Sequence, residues 1–119
     1  MTKRARQQGE LESLILDVLW STKRPLTSQE ILEQVGDGEL ALTTILTVLS
    51  RLTDKELVVR EAGEGRSFMF RAAQSREQHT ADLMLKLVTE ESNPALAFSA
   101  FAKWLTASQL KALRKSLDG

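Results

Sequence analysis

Cysteine and tyrosine are both absent from the 119 residues, and His79 is the single histidine. Without cysteine there are no disulfides, thiolate metal sites or cysteine nucleophiles, which fits a reducing cytosol. With the other two shortages, the usual catalytic side chains are nearly missing. No enzyme activity and no cofactor are expected. No run approaches the roughly 18 to 20 consecutive apolar residues that span a bilayer. The N-terminus lacks the apolar run of a secretory signal, so a cytoplasmic protein is expected. Excess charge is missing too, because 16 basic and 16 acidic residues cancel. A partner of one charge sign must therefore be sought in how the charges are distributed.

That distribution is uneven. Residues 1–8 hold Lys3, Arg4 and Arg6 and no acid, whereas residues 9–40 hold seven acids against two bases. Residues 41–73 carry five bases (Arg51, Lys55, Arg60, Arg66 and Arg71) against four acids. Acid gathers early; base gathers in the N-terminal tail and in the middle of the chain. Hydrophobic residues make up 42%, enough for one small core.

The periodicity predicts a first helix over residues 10–21, with Leu11, Leu14, Ile15, Val18 and Leu19 at i, i+3, i+4, i+7 and i+8. Trp20 closes it, and a turn follows over 22–25. Thr27 with Glu30 is a capping box, and Leu26 with Ile31 a hydrophobic staple, so a second helix starts there and stops at Gly36. Residues 36–38 read as a turn. A third helix is predicted over 43–55, with Ile45, Val48, Leu49 and Leu52 buried. Its opposite face carries Thr44, Thr47, Arg51 and Asp54, flanked by Thr43 and Ser50. β-Branched residues crowd its first half and weaken helix propensity, so packing must hold it.

Strand signals follow. Leu57, Val58 and Val59 lead into Arg60, residues 61–65 form a turn, and Ser67 to Phe70 return with Phe68 and Phe70 on one face. A two-stranded hairpin of this kind needs helices to pack on. From Ser75 the chain is helical again, with Ala81, Met84, Leu85 and Val88 as a stripe widened by Leu83 and Leu87. Asn93 and Pro94 cap and open another helix carrying Phe98, Phe101, Trp104 and Leu105. Thr106 caps a last one, in which Leu110, Leu113 and Leu117 recur at i, i+3 and i+7.

Three helices and a hairpin in this order make a winged helix-turn-helix. The fold class is mainly α with a small β-hairpin, followed by a helical dimerisation region. The expected division is residues 1–73 for the DNA-binding domain and 74–119 for the dimerisation region. In this layout the third helix enters the major groove of double-stranded DNA. Its short hydroxyls reach phosphates or base edges, a threonine methyl can meet a thymine methyl, and Arg51 can pair with guanine or a phosphate. Thr43, Thr44, Thr47, Ser50, Arg51 and Lys55 are therefore the candidate DNA-binding residues on this helix. Arg66, directly after Gly65 in the wing turn, is the candidate there; alternatively it pairs with Glu61 or Glu64. Lys3, Arg4 and Arg6 form either a phosphate-binding arm or a solvated tail.

The last 45 or so residues carry wide apolar faces on a length too short for a separate core. Two copies packed together would bury them and would match a palindromic operator. Leu83, Met84, Leu87, Phe98, Phe101, Trp104, Leu110, Leu113 and Leu117 are the candidate dimerisation residues. The competing reading folds them back on the winged helix in a monomer. His79 and Asp82, at i, i+3, are a weak metal signal; an exposed helix terminus is the simpler reading, and no metal is expected.

Gly9-Glu10-Leu11-Glu12 with the run to Val18-Leu19-Trp20 resembles the start of the penicillinase-repressor (BlaI/MecI/CopY-type) family. Thr43 to Leu49, Arg51-Leu52 and Lys55 resemble that family's reading helix, and Gly65-Arg66 with Phe68 and Phe70 its wing. The resemblance is close over residues 9–73 and is one of helical layout beyond. It implies a homodimeric repressor on a palindromic operator. In the β-lactam branch it also implies release by a protease acting in the dimerisation region under cell-wall or antibiotic stress. The copper branch uses C-terminal cysteines, which this chain lacks. The Asn-Phe bond often cut in the proteolytic branch is also missing, because Pro94 follows Asn93; Ala97-Phe98 and Ala100-Phe101 are analogues. Glu56 stands where the family usually has glycine, which puts the cap of the reading helix in question. The alternative function is a winged-helix module that binds another protein.

Overall fold

The computed structural model describes residues 8–36 and 38–119. The proposed basic arm (Lys3, Arg4, Arg6) and Asp37 of the first turn lie outside the described residues. The chain divides into two compact units between His79 and Thr80.

In the first unit, α1 spans Gln8–Thr22. Its buried side is Leu11, Ile15, Leu16 and Leu19. Leu14 and Val18 are only half-buried. The expected stripe is therefore rotated: Leu16 joins the core in their place. Trp20 does not end α1. The helix runs on to Thr22, whose hydroxyl donates to the Val18 carbonyl at 2.7 Å, and Lys23 then turns the chain at φ +64°.

A short strand, β1 (Leu26–Thr27), follows, which no sequence pattern announces. It pairs antiparallel with β3 (Phe68–Ala72), placing Leu26 opposite Phe70 and Thr27 opposite Met69. The expected two-stranded hairpin is thus a three-stranded sheet of order β1-β3-β2, with β2 at Val58–Ala62. Thr27 has extended backbone because it is the N-cap of α2 (Ser28–Val35), and that same conformation fits the sheet edge. The capping box forms as expected. The Glu30 N–H donates to Thr27 Oγ1 at 3.1 Å, and the Thr27 N–H donates to Glu30 Oε1 at 2.9 Å. The bond from the Thr27 backbone N–H, more than any other contact, holds the Glu30 carboxyl below its ordinary pKa, with Arg24 adding charge.

The helix α3 spans Leu42–Asp54, and its buried side is the predicted Ile45, Val48, Leu49 and Leu52. Its C-terminus is a Schellman motif. The Glu56 N–H donates to the Thr53 carbonyl at 3.0 Å and the Leu57 N–H to the Leu52 carbonyl at 2.9 Å. Glu56 adopts φ +64°, the left-handed conformation in which glycine is the usual residue. The core of this unit gathers the buried faces of α1 and α3 with Leu26, Ile31, Val35, Val58 and Phe70. It is small, so each member counts; truncating one such leucine typically costs about 2–5 kcal/mol.

The helix α4 spans Arg76–Thr89. Its first turn is tied to α1 within the first unit. The Trp20 Nε1–H donates to the Gln74 carbonyl at 2.8 Å, and Arg76 pairs with Asp17 at 2.9 Å. The Arg76 guanidinium lies 4.9 Å from the Trp20 ring centre and the His79 ring 5.4 Å. His79 is consequently half-buried against an aromatic ring, which corrects the expectation of a solvated terminus.

The second unit contains the rest of α4 with α5 (Pro94–Trp104) and α6 (Ala107–Asp118). Asn93 Oδ1 accepts from the Leu96 N–H at 3.3 Å, with Pro94 opening α5. Thr106 and Gln109 form a second capping box. No residue of α5 or α6 is buried.

Candidate nucleic-acid interface

With α3 held by its apolar side, 3.6-residue geometry fixes what it shows to solvent. Thr43, Thr44, Thr47, Ser50, Arg51 and Lys55 are all exposed. Thr47 lies near the middle of the exposed arc. Its hydroxyl donates to the Thr43 carbonyl at 2.9 Å, which leaves its oxygen lone pairs as acceptors. Arg51 has no ion-pair partner among the described residues. Lys55 is different: its Nζ lies 3.1 Å from both carboxylate oxygens of Glu12 on α1. It is a clamp between two helices as well as an exposed cation, a pairing across 43 positions that local sequence does not announce.

The wing is built on the register of β2 and β3, which runs from Val58↔Ala72 to Ala62↔Phe68. The strands therefore extend further than expected, and the reversal occupies residues 63–67. The Gly63 N–H donates to the Ser67 carbonyl at 2.9 Å, and the Ser67 N–H to the Glu64 carbonyl at 3.2 Å. Gly65 supplies the positive φ, +63°, at the first central position. A side chain at Gly63 would meet Ser67 Oγ at 2.8 Å and Met69 Cγ at 2.9 Å. Arg66 is thus presented at the tip, exposed. Glu61, one of its two possible partners, pairs instead with Arg71.

Three residues beside this surface were not among the candidate DNA contacts read from the sequence. Leu46 is 42% exposed on the wing side of α3, and Phe68 is 47% exposed on β3. The Arg60 guanidinium from β2 sits 4.3 Å from the Phe68 ring centre, well within cation–π range. Phe68 and Phe70 share a face of β3 as expected, yet only Phe70 reaches the core.

The candidate dimerisation residues are apolar and uncovered within their own unit. Leu83, Met84, Leu87, Phe98 and Phe101 are exposed, and Trp104 is 84% exposed. Leu113 and Leu117 are exposed and Leu110 half-buried. Met84, Leu85 and Val88 of α4 line an open apolar groove with Ala97, Phe98 and Phe101 of α5. Among the described residues no group of three or more histidines or carboxylates is placed to hold a metal, and no helix is long and apolar enough to cross a membrane.

The family model of the penicillinase repressor matches residues 8–119. The transcriptional regulator BlaI of Mycobacterium tuberculosis, in two strains, is 30% identical over 113 residues, covering 92% of this chain and 81% of its own length. Among solved structures, a point mutant of Lactococcus lactis ZitR is similar with a TM-score of 0.46 and 12% identity, over 99% of this chain and 75% of that one. Wild-type ZitR in complex with DNA gives a TM-score of 0.42 and 12% identity, over 98% and 74% of the two chains.

Proposed function

The chain belongs to the penicillinase-repressor family and is a transcriptional repressor of the BlaI type, and we propose that it represses by binding a palindromic operator as a cytoplasmic homodimer. The observation that carries this reading is the exposed face of α3: five hydroxyl or guanidinium side chains (Thr43, Thr44, Thr47, Ser50 and Arg51) turned away from the core beside a glycine-built wing.

Thr44, Thr47 and Arg51 supply sequence discrimination. Thr47, its proton already given to Thr43, accepts from an adenine or cytosine amino group or sets its methyl against thymine. Arg51, free of acids among the described residues, keeps both its arms for guanine. Arg66 at the wing tip and Lys55 at the end of α3 add phosphate or minor-groove contacts, with Lys55 shared with Glu12. The surface is mixed in charge rather than uniformly basic, so affinity depends on a few well-placed cations and falls with salt.

The second unit supplies the two-fold partner. Its apolar residues have no cover of their own, and an isologous contact between two copies buries them. Operator release is then a matter of undoing that contact, and a protease answering cell-wall or antibiotic stress would do so by cutting α4–α6. Ala97-Phe98 and Ala100-Phe101 both lie inside α5, so a protease, which needs extended backbone, must first open that helix. A mobility shift with the duplex upstream of the protein's own gene tests the reading. A retarded complex that competitor random DNA does not displace is expected. No complex at low salt would favour a module that binds another protein.

A further inference from the structure

We infer that the notch between α3 and the wing is a seat for the sugar–phosphate backbone of DNA, with Arg60 meeting a phosphate and Leu46 and Phe68 covering the adjoining deoxyribose. This rests on the DNA-binding reading above.

An open groove of roughly 250 Å³ lies between α3 and the wing, lined by Leu46, Asp54, Arg60 and Phe68 among others. If α3 lies in one groove of the duplex and the wing tip reaches the next, the ridge of backbone separating those grooves has to pass between them. That ridge alternates anionic phosphate with apolar sugar. The notch has the same two characters. Leu46 and Phe68 are large apolar side chains left nearly half exposed, although a single protomer could have buried or replaced them. Arg60 is the cation in the same notch. Phe68 fixes its guanidinium at 4.3 Å, and no acid among the described residues lies within ion-pairing range of it. A cation held by a ring rather than by a carboxylate keeps its donors for an incoming oxyanion. Asp54 opposes this, since its carboxylate borders the same notch. Its removal should therefore help binding, a sign opposite to that expected of a base-reading acceptor.

The test uses the full chain and a random-sequence 30-base-pair duplex, with binding followed by fluorescence anisotropy from low to moderate salt. Random sequence isolates backbone contacts from operator reading. Arg60→Gln should weaken binding severalfold and flatten the slope of log K against log salt by about 0.9, one phosphate's worth. Arg60→Lys should keep the slope. Leu46→Ala and Phe68→Ala should weaken binding a few-fold with the slope unchanged, and Asp54→Asn should tighten it. Thermal unfolding of each variant confirms that it is folded; all these side chains are exposed. An Arg60→Gln slope equal to wild type, or Asp54→Asn weakening random-duplex binding, overturns the inference while leaving the DNA-binding reading intact. Failure of the wild type to bind any duplex at low salt overturns that reading itself.

Discussion

Glu56 is a place where one substitution should make the protein more stable. It occupies the residue after the C-cap of α3 at φ +64°, and the two Schellman hydrogen bonds of 3.0 and 2.9 Å hold it there. For a residue with a Cβ the left-handed conformation costs about 1–2 kcal/mol. Glycine removes that cost but brings extra freedom to the unfolded chain, worth about 0.4–1 kcal/mol in the opposite direction. The difference leaves Glu56→Gly more stable by roughly 0.5–1 kcal/mol. For a cooperative unit of this size that raises Tm by about 2–8 °C. Glu56→Ala is the control, because it removes the carboxylate and keeps the Cβ, so it should give none of this gain. Circular dichroism melts of the three proteins at equal concentration, needed because any dimer makes Tm depend on concentration, provide the comparison. A Glu56→Gly protein that melts at or below the alanine variant would refute the claim that backbone strain is stored at this cap.

Other substitutions probe separate parts of the structure. Leu52→Ala, at a fully buried position of α3, should cost about 2–5 kcal/mol in denaturant unfolding; less than 1 would mean the core is not centred there. Trp20→Phe removes the 2.8 Å bond to the Gln74 carbonyl and should cost about 1 kcal/mol, read in the same way. Glu30 has a lowered pKa in the folded chain, so its contribution to stability is complete above its ordinary value of 4.5 and fades as pH falls through the folded value. The wild type should therefore lose more stability than Glu30→Gln between pH 5 and acid, and parallel curves would contradict this. Trp104→Ser combined with Leu83→Ser should shift sedimentation from dimer to monomer at micromolar concentration; an unchanged dimer would place the two-fold contact elsewhere.

What the sequence disclosed and what it hid divide along the range of the interactions. The Thr27 and Thr106 caps and the buried stripe of α3 depend on neighbours within four residues, and each is where its pattern puts it. The strand β1 escaped because two residues carry no periodicity, and its partner Phe70 is 44 positions away from Leu26. On α1, five apolar residues fit an ideal stripe, but packing turned the helix so that Leu16 is buried and Leu14 and Val18 are half-buried. The candidate interface shows the same division. Hydroxyls at helical spacing disclose one face of α3. The notch with Arg60 and Phe68 depends on hairpin register and on how α3 lies beside the sheet, and the bond from Lys55 to Glu12 depends on how α3 lies against α1. Glu56 departs from the family's glycine and still takes the left-handed cap, because the Schellman bonds and the buried Leu52 hold it in place.

The most direct measurement is the affinity of wild type and Arg51→Ala for the duplex upstream of the protein's own gene and for a scrambled duplex, at one fixed salt concentration. We expect the wild type to prefer the upstream duplex, and Arg51→Ala to lose about 1–3 kcal/mol there and much less on the scrambled one. Equal losses on both would mean that Arg51 touches only phosphate, and a wild type that binds the two duplexes alike would contradict sequence reading by α3.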